Sequence, residues 1–290
     1  MTDLPADHVR TLLAVVDAGT FDAAAAALHV TPSAVSQRIK SLEQRTGRVL
    51  LLRTKPIQLT DSGQVVVRFA RQLTQLSLDA QAELGLTTAD QPTRLPIAVN
   101  ADSLATWFLP ALTQVPSVAF ELHRADEGHT AQLLREGLVM AAVTSTPDPV
   151  SGCSVRPLGS LRYLACASPS FPFQSFSTSP VIYFDRHDAL QDRFASAGPD
   201  QAPPSGASPF RHQIPSFTAY LAAVSAGMGW GLIPLSHALP AFTAGTLVNL
   251  APTRHMDVPL FWQQWKLHSP ALAALAQSVA TTAATALVQA

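Results

Sequence analysis

Val9, Leu12, Leu13 and Val16 recur at i, i+3, i+4 and i+7, which predicts a first helix with one buried stripe, stopped by Gly19. Thr20 caps a second helix, FDAAAAAL, with Phe21, Ala24 and Leu28 on one face. After a short turn at His29–Val30, Thr31 is placed to cap a third helix and Pro32 stands at its first position, where a missing N–H costs nothing. At 100° per residue, Val35, Ile39 and Leu42 fall on one side of it; Ser33, Ser36, Gln37 and Lys40 fall opposite. Two short helices joined by a tight turn, the second with a polar outer face, form a helix-turn-helix pattern.

After Gly47, VLLLRTKPIQLT reads as a two-stranded wing with a basic tip. Thr60 then caps a long helix whose Val66, Phe69, Leu73, Leu76 and Ala80 form a heptad-like seam suited to pairing with a second copy. TTADQPT, 87–93, reads as a polar hinge. Beyond it the period switches: LPIAVN, VAFELH and VMAAVT read as strands, SLATWFLPALTQ and HTAQLLRE as helices. A second set follows, with RYLACAS, PVIYF, RHQI and WGLIP as strands and helices from Ala189 and over FTAYLAAVSA. PLFWQQWKL and an alanine-rich helix from Pro270 close the chain. SAGPDQAPPSGASP, 196–209, reads as a surface loop. Two α/β lobes place a ligand crevice at the carboxyl ends of their strands.

Charge sharpens this division. The chain's net charge is −1, yet between Thr31 and Thr60 six bases (Arg38, Lys40, Arg45, Arg48, Arg53 and Lys55) face one acid, Glu43. From Gln91 onward ten bases meet eleven acids. A basic patch at one end of a neutral body suits a polyanion there only. Cys153 and Cys166 have no metal spacing and read as buried reduced thiols. No apolar run is long enough for a membrane span and no leader pattern is present, so a soluble, cytoplasmic protein is expected. GxSxG, HExxH and the P-loop are missing, and Gly227-x-Gly229-x-Gly231 lacks the strand that precedes a dinucleotide fingerprint. An enzyme is not expected, nor a metal or cofactor.

GTFDAAAAALHVTPSAVSQRIKSLEQRTGRVLLLR followed by LTDSG resembles the winged helix-turn-helix of LysR-type transcriptional regulators, from about Leu4 to Ala82; the family pattern has Phe where Leu51 stands. VNADSLATWF, LLREGLVMAAVTS, YFDRHDALQD, GMGWGLIP and VPLFWQQWKL are similar to its ArgP/LysG subfamily, as is Met140 where many LysR-type proteins have Asp. The resemblance implies an N-terminal winged helix-turn-helix over 1–59, an α-helical module with a linker and dimerisation helix at 60–86. A hinge at 87–93 and a two-lobed α/β effector domain over 94–290, like a periplasmic binding protein, would follow. Lobe I would take about 94–163 and 268–290, lobe II about 164–267. The implied protein binds double-stranded DNA, recruits RNA polymerase, forms a homodimer or tetramer, senses lysine or arginine and controls an amino-acid exporter gene. A different small-molecule effector, or a sequence-indifferent architectural or replication-inhibiting DNA-binding role, stays open.

Candidate DNA contacts are Thr31, Pro32, Ser33, Ser36, Gln37, Arg38 and Lys40, with Arg53 and Lys55 of the wing on phosphates. In the crevice, Asn100, Asp102 and Ser103 follow the first strand, with Ser103 expected to open the next helix. By resemblance Ser103 and Thr144, with Ser145 beside it, hold an α-carboxylate. The cationic groups of a basic amino acid need buried acids, for which Asp102, Asp126 and Asp188 are preferred over Glu127 and Asp185. Trp107, Trp262 and Trp265 are core residues or stacking groups on the rim. His123 and His129 read as satisfied polar structure.

Overall fold

The computed structural model describes residues 4–52, 54, 57–86, 93–116, 118–125, 130–197 and 206–289. Helices α1 (Ala6–Ala18), α2 (Phe21–Ala27) and α3 (Pro32–Thr46) precede a small wing, β1 (Leu51–Leu52) paired antiparallel with β2 (Gln58–Leu59). Thr20 and Thr31 cap α2 and α3, accepting from Ala23 N and Ala34 N at 3.1 and 3.2 Å. Gly19 and Gly47 end α1 and α3 in the left-handed region that a side chain would resist. Val9, Leu12 and Val15 meet Ala24, Val35, Ile39 and Leu42 in one core, so the α1 stripe is centred on Val15 rather than Val16. Glu43, the lone acid of the basic stretch, accepts from Leu50 N at 2.8 Å and so fixes the start of the wing.

Thr60 caps α4 (Asp61–Glu83), accepting from Gly63 N at 3.0 Å. Gly63 lies so close to the wing that a Cβ there would stand 2.0 Å from Leu50 O. The expected pairing seam needs one correction. Val66 is 7% exposed and joins Val67 and Ala70 in the head's core. Val65, one residue earlier, is 54% exposed and lines up with Phe69 (40%) and Leu76 (42%); Leu73 is half-buried and Ala80 exposed. The heptad register expected from sequence is one residue off at its start because this turn packs on its own module.

Beyond α4, strand β3 (Thr93–Val99) takes in the last residue of the expected hinge. One continuous helical run follows: α5 (Ala101–Ser103), a π-helical turn (Leu104–Phe108) and α6 (Leu109–Leu112). Next come β4 (Val118–Arg124), α7 (Thr130–Arg135), β5 (Ala141–Thr144) and the fifteen-residue β6 (Cys153–Ala167). Then β7 (Val181–Tyr183), α8 (Leu190–Ser196), β8 (Arg211–Gln213), α9 (Phe217–Ser225) and β9 (Gly231–Pro234) succeed one another. Helix α10 (Leu235–Thr243) and β10 (Val248–Asn249) were not anticipated; β11 (Met256–Trp265) and α11 (Pro270–Ala286) close the chain.

Strand β3 pairs parallel with β4 and β5, and β7 with β8. The two lobes nevertheless share one sheet, ordered β10-β6-β11-β5-β3-β4 with β9 added to β6. Strands β6 and β11 run antiparallel through both halves, bulged between Leu260 and Phe261 where Gly159 adopts φ 119°. The described end of the 196–209 stretch is pinned, not a free surface loop: Ala207 N donates to Asp192 Oδ1 (2.7 Å) and Ser208 Oγ to Thr178 O (3.1 Å).

The head and effector domain touch through α4. Arg71 donates to Asp17 Oδ1 of α1 (2.8 Å) and to Glu136 O after α7 (2.9 Å). A Cβ on Gly137 would stand 2.9 Å from Arg68 Cα, so glycine is what lets α4 approach. Among the described residues no helix is long and apolar enough to cross a membrane.

Candidate nucleic-acid interface and effector cleft

On α3, Ser33, Gln37 and Lys40 project from one exposed face, with Ser36 half-buried beside them. Thr31 and Ser33 share a hydroxyl–hydroxyl bond of 2.9 Å, and both, with Pro32, are exposed at the helix start. The face carries amide, hydroxyl and ammonium donors on a rod that fits a major groove. Arg38 departs from the expectation. It is half-buried, and its Nη1 donates to Thr11 Oγ1 of α1 at 3.3 Å, so it braces the module. Arg53 and Lys55 lie outside the described residues.

The crevice lies where the strand order predicts. The carboxyl ends of β3 and β4 are adjacent, with Ala125 N donating to Val99 O at 3.2 Å. A cleft of about 290 Å³, counting its open mouth, is lined by Asp102, Tyr163, Phe184, Asp188, Gln191 and Tyr220, among others. A larger gap of about 820 Å³ lies between α1, α4 and the sheet. Its one arginine is already paired, Arg71 with Asp17, so it makes the poorer amino-acid site.

Two predicted acids face the cleft. Asp102 accepts from the Tyr163 hydroxyl at 2.6 Å. Asp188 accepts from Phe184 N and Leu190 N, each at 3.0 Å. Burial pushes the Asp188 carboxyl above its ordinary range, against the pull of those hydrogen bonds. Asp185 is spent on its own turn, accepting from His187 N at 2.6 Å and Asp188 N at 3.1 Å. Asp126, Glu127 and His129 lie outside the described residues.

The hydroxyl assignments change. The helix opens at Ala101, with Asn100 in the cap position, so Ser103 is its third residue. Ser103 Oγ and Asn100 Oδ1 are buried without a partner among the described residues. Thr144 is already committed: its Oγ1 donates to Thr146 O at 3.1 Å and accepts from Gln263 Nε2 at 3.2 Å. Ser145 is half-buried beside it, and neither lines the cleft. Sequence reasoning missed one further buried hydroxyl, which, like Thr144, is not among the cleft's lining residues. Thr130, fully buried at the start of α7, leaves its Oγ1 unpartnered. Gln191 Oε1 is likewise unpartnered, while its Nε2 donates to Ile182 O and to the Tyr220 hydroxyl, each at 3.0 Å. Orphaned buried polar atoms cost free energy unless something completes them, and of these residues Gln191 lines the cleft. The readable signal was Thr130 opening a helix at the carboxyl end of β4, the place Ser103 holds after β3.

Trp107, Trp262 and Trp265 are at most 3% exposed and belong to the core. Cys153 and Cys166 are buried free thiols, pushed up to about 11 and about 12 by burial. The Gly229-x-Gly231 pair serves packing, since Cβ atoms there would lie 2.7 Å from Pro180 O and 2.5 Å from the Tyr220 hydroxyl.

Comparison with known proteins agrees with this division of labour. Residues 6–64 match the bacterial regulatory helix-turn-helix protein model, lysR family, and 89–284 the LysR substrate binding domain. The lysine export transcriptional regulatory protein LysG of Corynebacterium glutamicum is 40% identical over 95% of this chain and 97% of its own length. The crystal structure of ArgP from Mycobacterium tuberculosis superposes with a TM-score of 0.92 at 40% identity, covering 99% of this chain and all of that one. Full-length LysG from C. glutamicum with bound effector Arg gives 0.84 at 38%, covering 98% and 100%. A helix-turn-helix domain followed by a LysR substrate binding domain, each matched in order, places this chain in the LysR family of bacterial helix-turn-helix regulators.

Proposed function

We propose that this chain is a LysR-type transcriptional regulator that senses a basic amino acid, arginine or lysine, and controls a gene for its export. The observation that carries the reading is the cleft's donor set. Asp102 and Asp188 supply countercharge for an α-ammonium and a cationic side chain. The Ser103 and Thr130 hydroxyls, which follow β3 and β4 and have no partner among the described residues, lie outside the cleft's lining and suit the α-carboxylate if the ligand reaches them. The relative solved with arginine and the relative named for lysine export support this ligand class.

On DNA, Ser33, Gln37 and Lys40 read bases and the wing's Arg53 and Lys55 hold phosphates. Two copies pair along α4 through Val65, Phe69, Leu73, Leu76 and Ala80. Ligand that favours one lobe arrangement shifts how paired heads meet DNA and RNA polymerase. A thermal-shift screen of the full chain against the twenty amino acids tests the effector. Stabilisation confined to arginine and lysine supports it, and none by either refutes it. Footprinting upstream of an exporter gene, with and without the amino acid, tests the regulatory half.

A further inference from the structure

Arg124 is the last residue of β4, in the half of the sheet whose strands β3 and β4 precede Ser103 and Thr130. Its side chain leaves that half. Its Nη1 donates to Pro215 O, between β8 and α9, at 3.2 Å. Its guanidinium stands 5.4 Å from the ring centroid of Phe184. Phe184 follows β7 and lines the cleft, and its backbone N–H holds Asp188. Phe217, two residues after Pro215, lines the cleft as well. One exposed cation of lobe I therefore grips two segments of lobe II at the mouth of the effector cleft.

We infer that Arg124 is an interlobe latch: a positioning residue that keeps lobe II closed over the bound effector and sets how slowly the effector leaves. The inference rests on the cleft being the effector site. The physics favours a latch over a ligand contact. The guanidinium is engaged with a ring and a carbonyl on the opposite lobe, and a fixed cation is a poor neighbour for a ligand with a cationic side chain. Both contacts form only when the lobes are together, so removing them lowers the closed population without altering a group that touches the ligand. The loss belongs in the dissociation rate, since an open cleft admits ligand as readily.

Stopped-flow fluorescence on the full chain, wild type against Arg124→Ala, with arginine and with argininamide, decides the matter. Arg124→Ala is expected to release arginine about three- to tenfold faster, with association changed less than about twofold, as loss of one exposed cation–π contact and one hydrogen bond implies. Argininamide, lacking the carboxylate, is expected to show the same factor. Arg124→Gln, which keeps a donor for Pro215 O and loses the charge, is expected to fall between. Wild-type release from Arg124→Ala overturns the latch; so does a deficit confined to arginine, which would make Arg124 a carboxylate ligand. If wild-type protein binds neither compound, the effector reading fails and the latch is judged without ligand. Amide hydrogen exchange at Phe184, Ile214 and Ser216 is then expected to quicken in Arg124→Ala, and unchanged exchange overturns it.

Discussion

The Tyr163 hydroxyl donates a 2.6 Å hydrogen bond to Asp102 Oδ2, joining crossover strand β6 to the segment that follows β3. Tyr163 is 1% exposed, and β6 pairs with β9 from this residue onward. The bond thus fixes a cleft carboxylate from the far side of the crevice. Tyr163→Phe keeps the ring's packing and strips one charge-assisted hydrogen bond from Asp102. Urea unfolding of the effector domain is expected to show a loss of about 1–3 kcal/mol.

Ser103 and Thr130 invert the usual relation between burial and stability. Their hydroxyls have no partner among the described residues, so Ser103→Ala and Thr130→Val should leave the melting temperature unchanged or raised. Calorimetric affinity for arginine should still fall by roughly five- to thirtyfold for each, from about 1–2 kcal/mol of lost hydrogen bonding. A large stability loss with unchanged affinity would assign both hydroxyls to structure.

Acidification should weaken the effector. Burial raises the Asp188 pKa in the folded protein. For folding, the stability this confers is full below the unfolded-state pKa and is lost as pH rises through the folded value. Binding has the opposite sign, because a cationic ligand needs the carboxylate. Affinity for arginine is expected to decline as pH falls through the raised Asp188 pKa. Calorimetry across pH should show Asp188→Asn binding weakly with that dependence flattened.

On DNA, Gln37→Ala should narrow the gap between operator and random sequence, whereas Lys55→Ala should weaken both alike and reduce the salt slope by about one. Arg38→Ala should act differently, lowering the head's melting temperature, since Arg38 braces Thr11. Competition binding at several salt concentrations separates these outcomes.

Phe69→Glu and Leu76→Glu place charges on exposed apolar positions of α4 and should shift a dimer towards monomer in sedimentation velocity. Val66→Glu should unfold the head instead, because it buries an unpaired carboxylate.

Much of this protein is local, and that part is written in the residue order. Thr20 and Thr31 as caps, Gly19 and Gly47 as stops, and the Val35–Ile39–Leu42 stripe follow from backbone chemistry within a few residues, so the α3 reading face is legible from the sequence alone. The strand–helix alternation likewise points to a crevice at the strand ends, where the fold brings Asp102 and Asp188 together. Tertiary structure decided what depends on partners distant in the chain. Val66 turned inward because α4 packs on the head there. Thr144 was lost to the site because Gln263, on a strand more than a hundred residues away, claimed its hydroxyl. Thr130 Oγ1 and Gln191 Oε1 are left without a partner among the described residues only because folding buries them where no such group reaches. Arg124 reads as an ordinary strand-end cation until Pro215 and Phe184 arrive beside it from the opposite lobe. Periodicity and capping are short-range and are set along the chain; which polar group ends up paired, and which is left for a ligand, is settled only when distant segments meet.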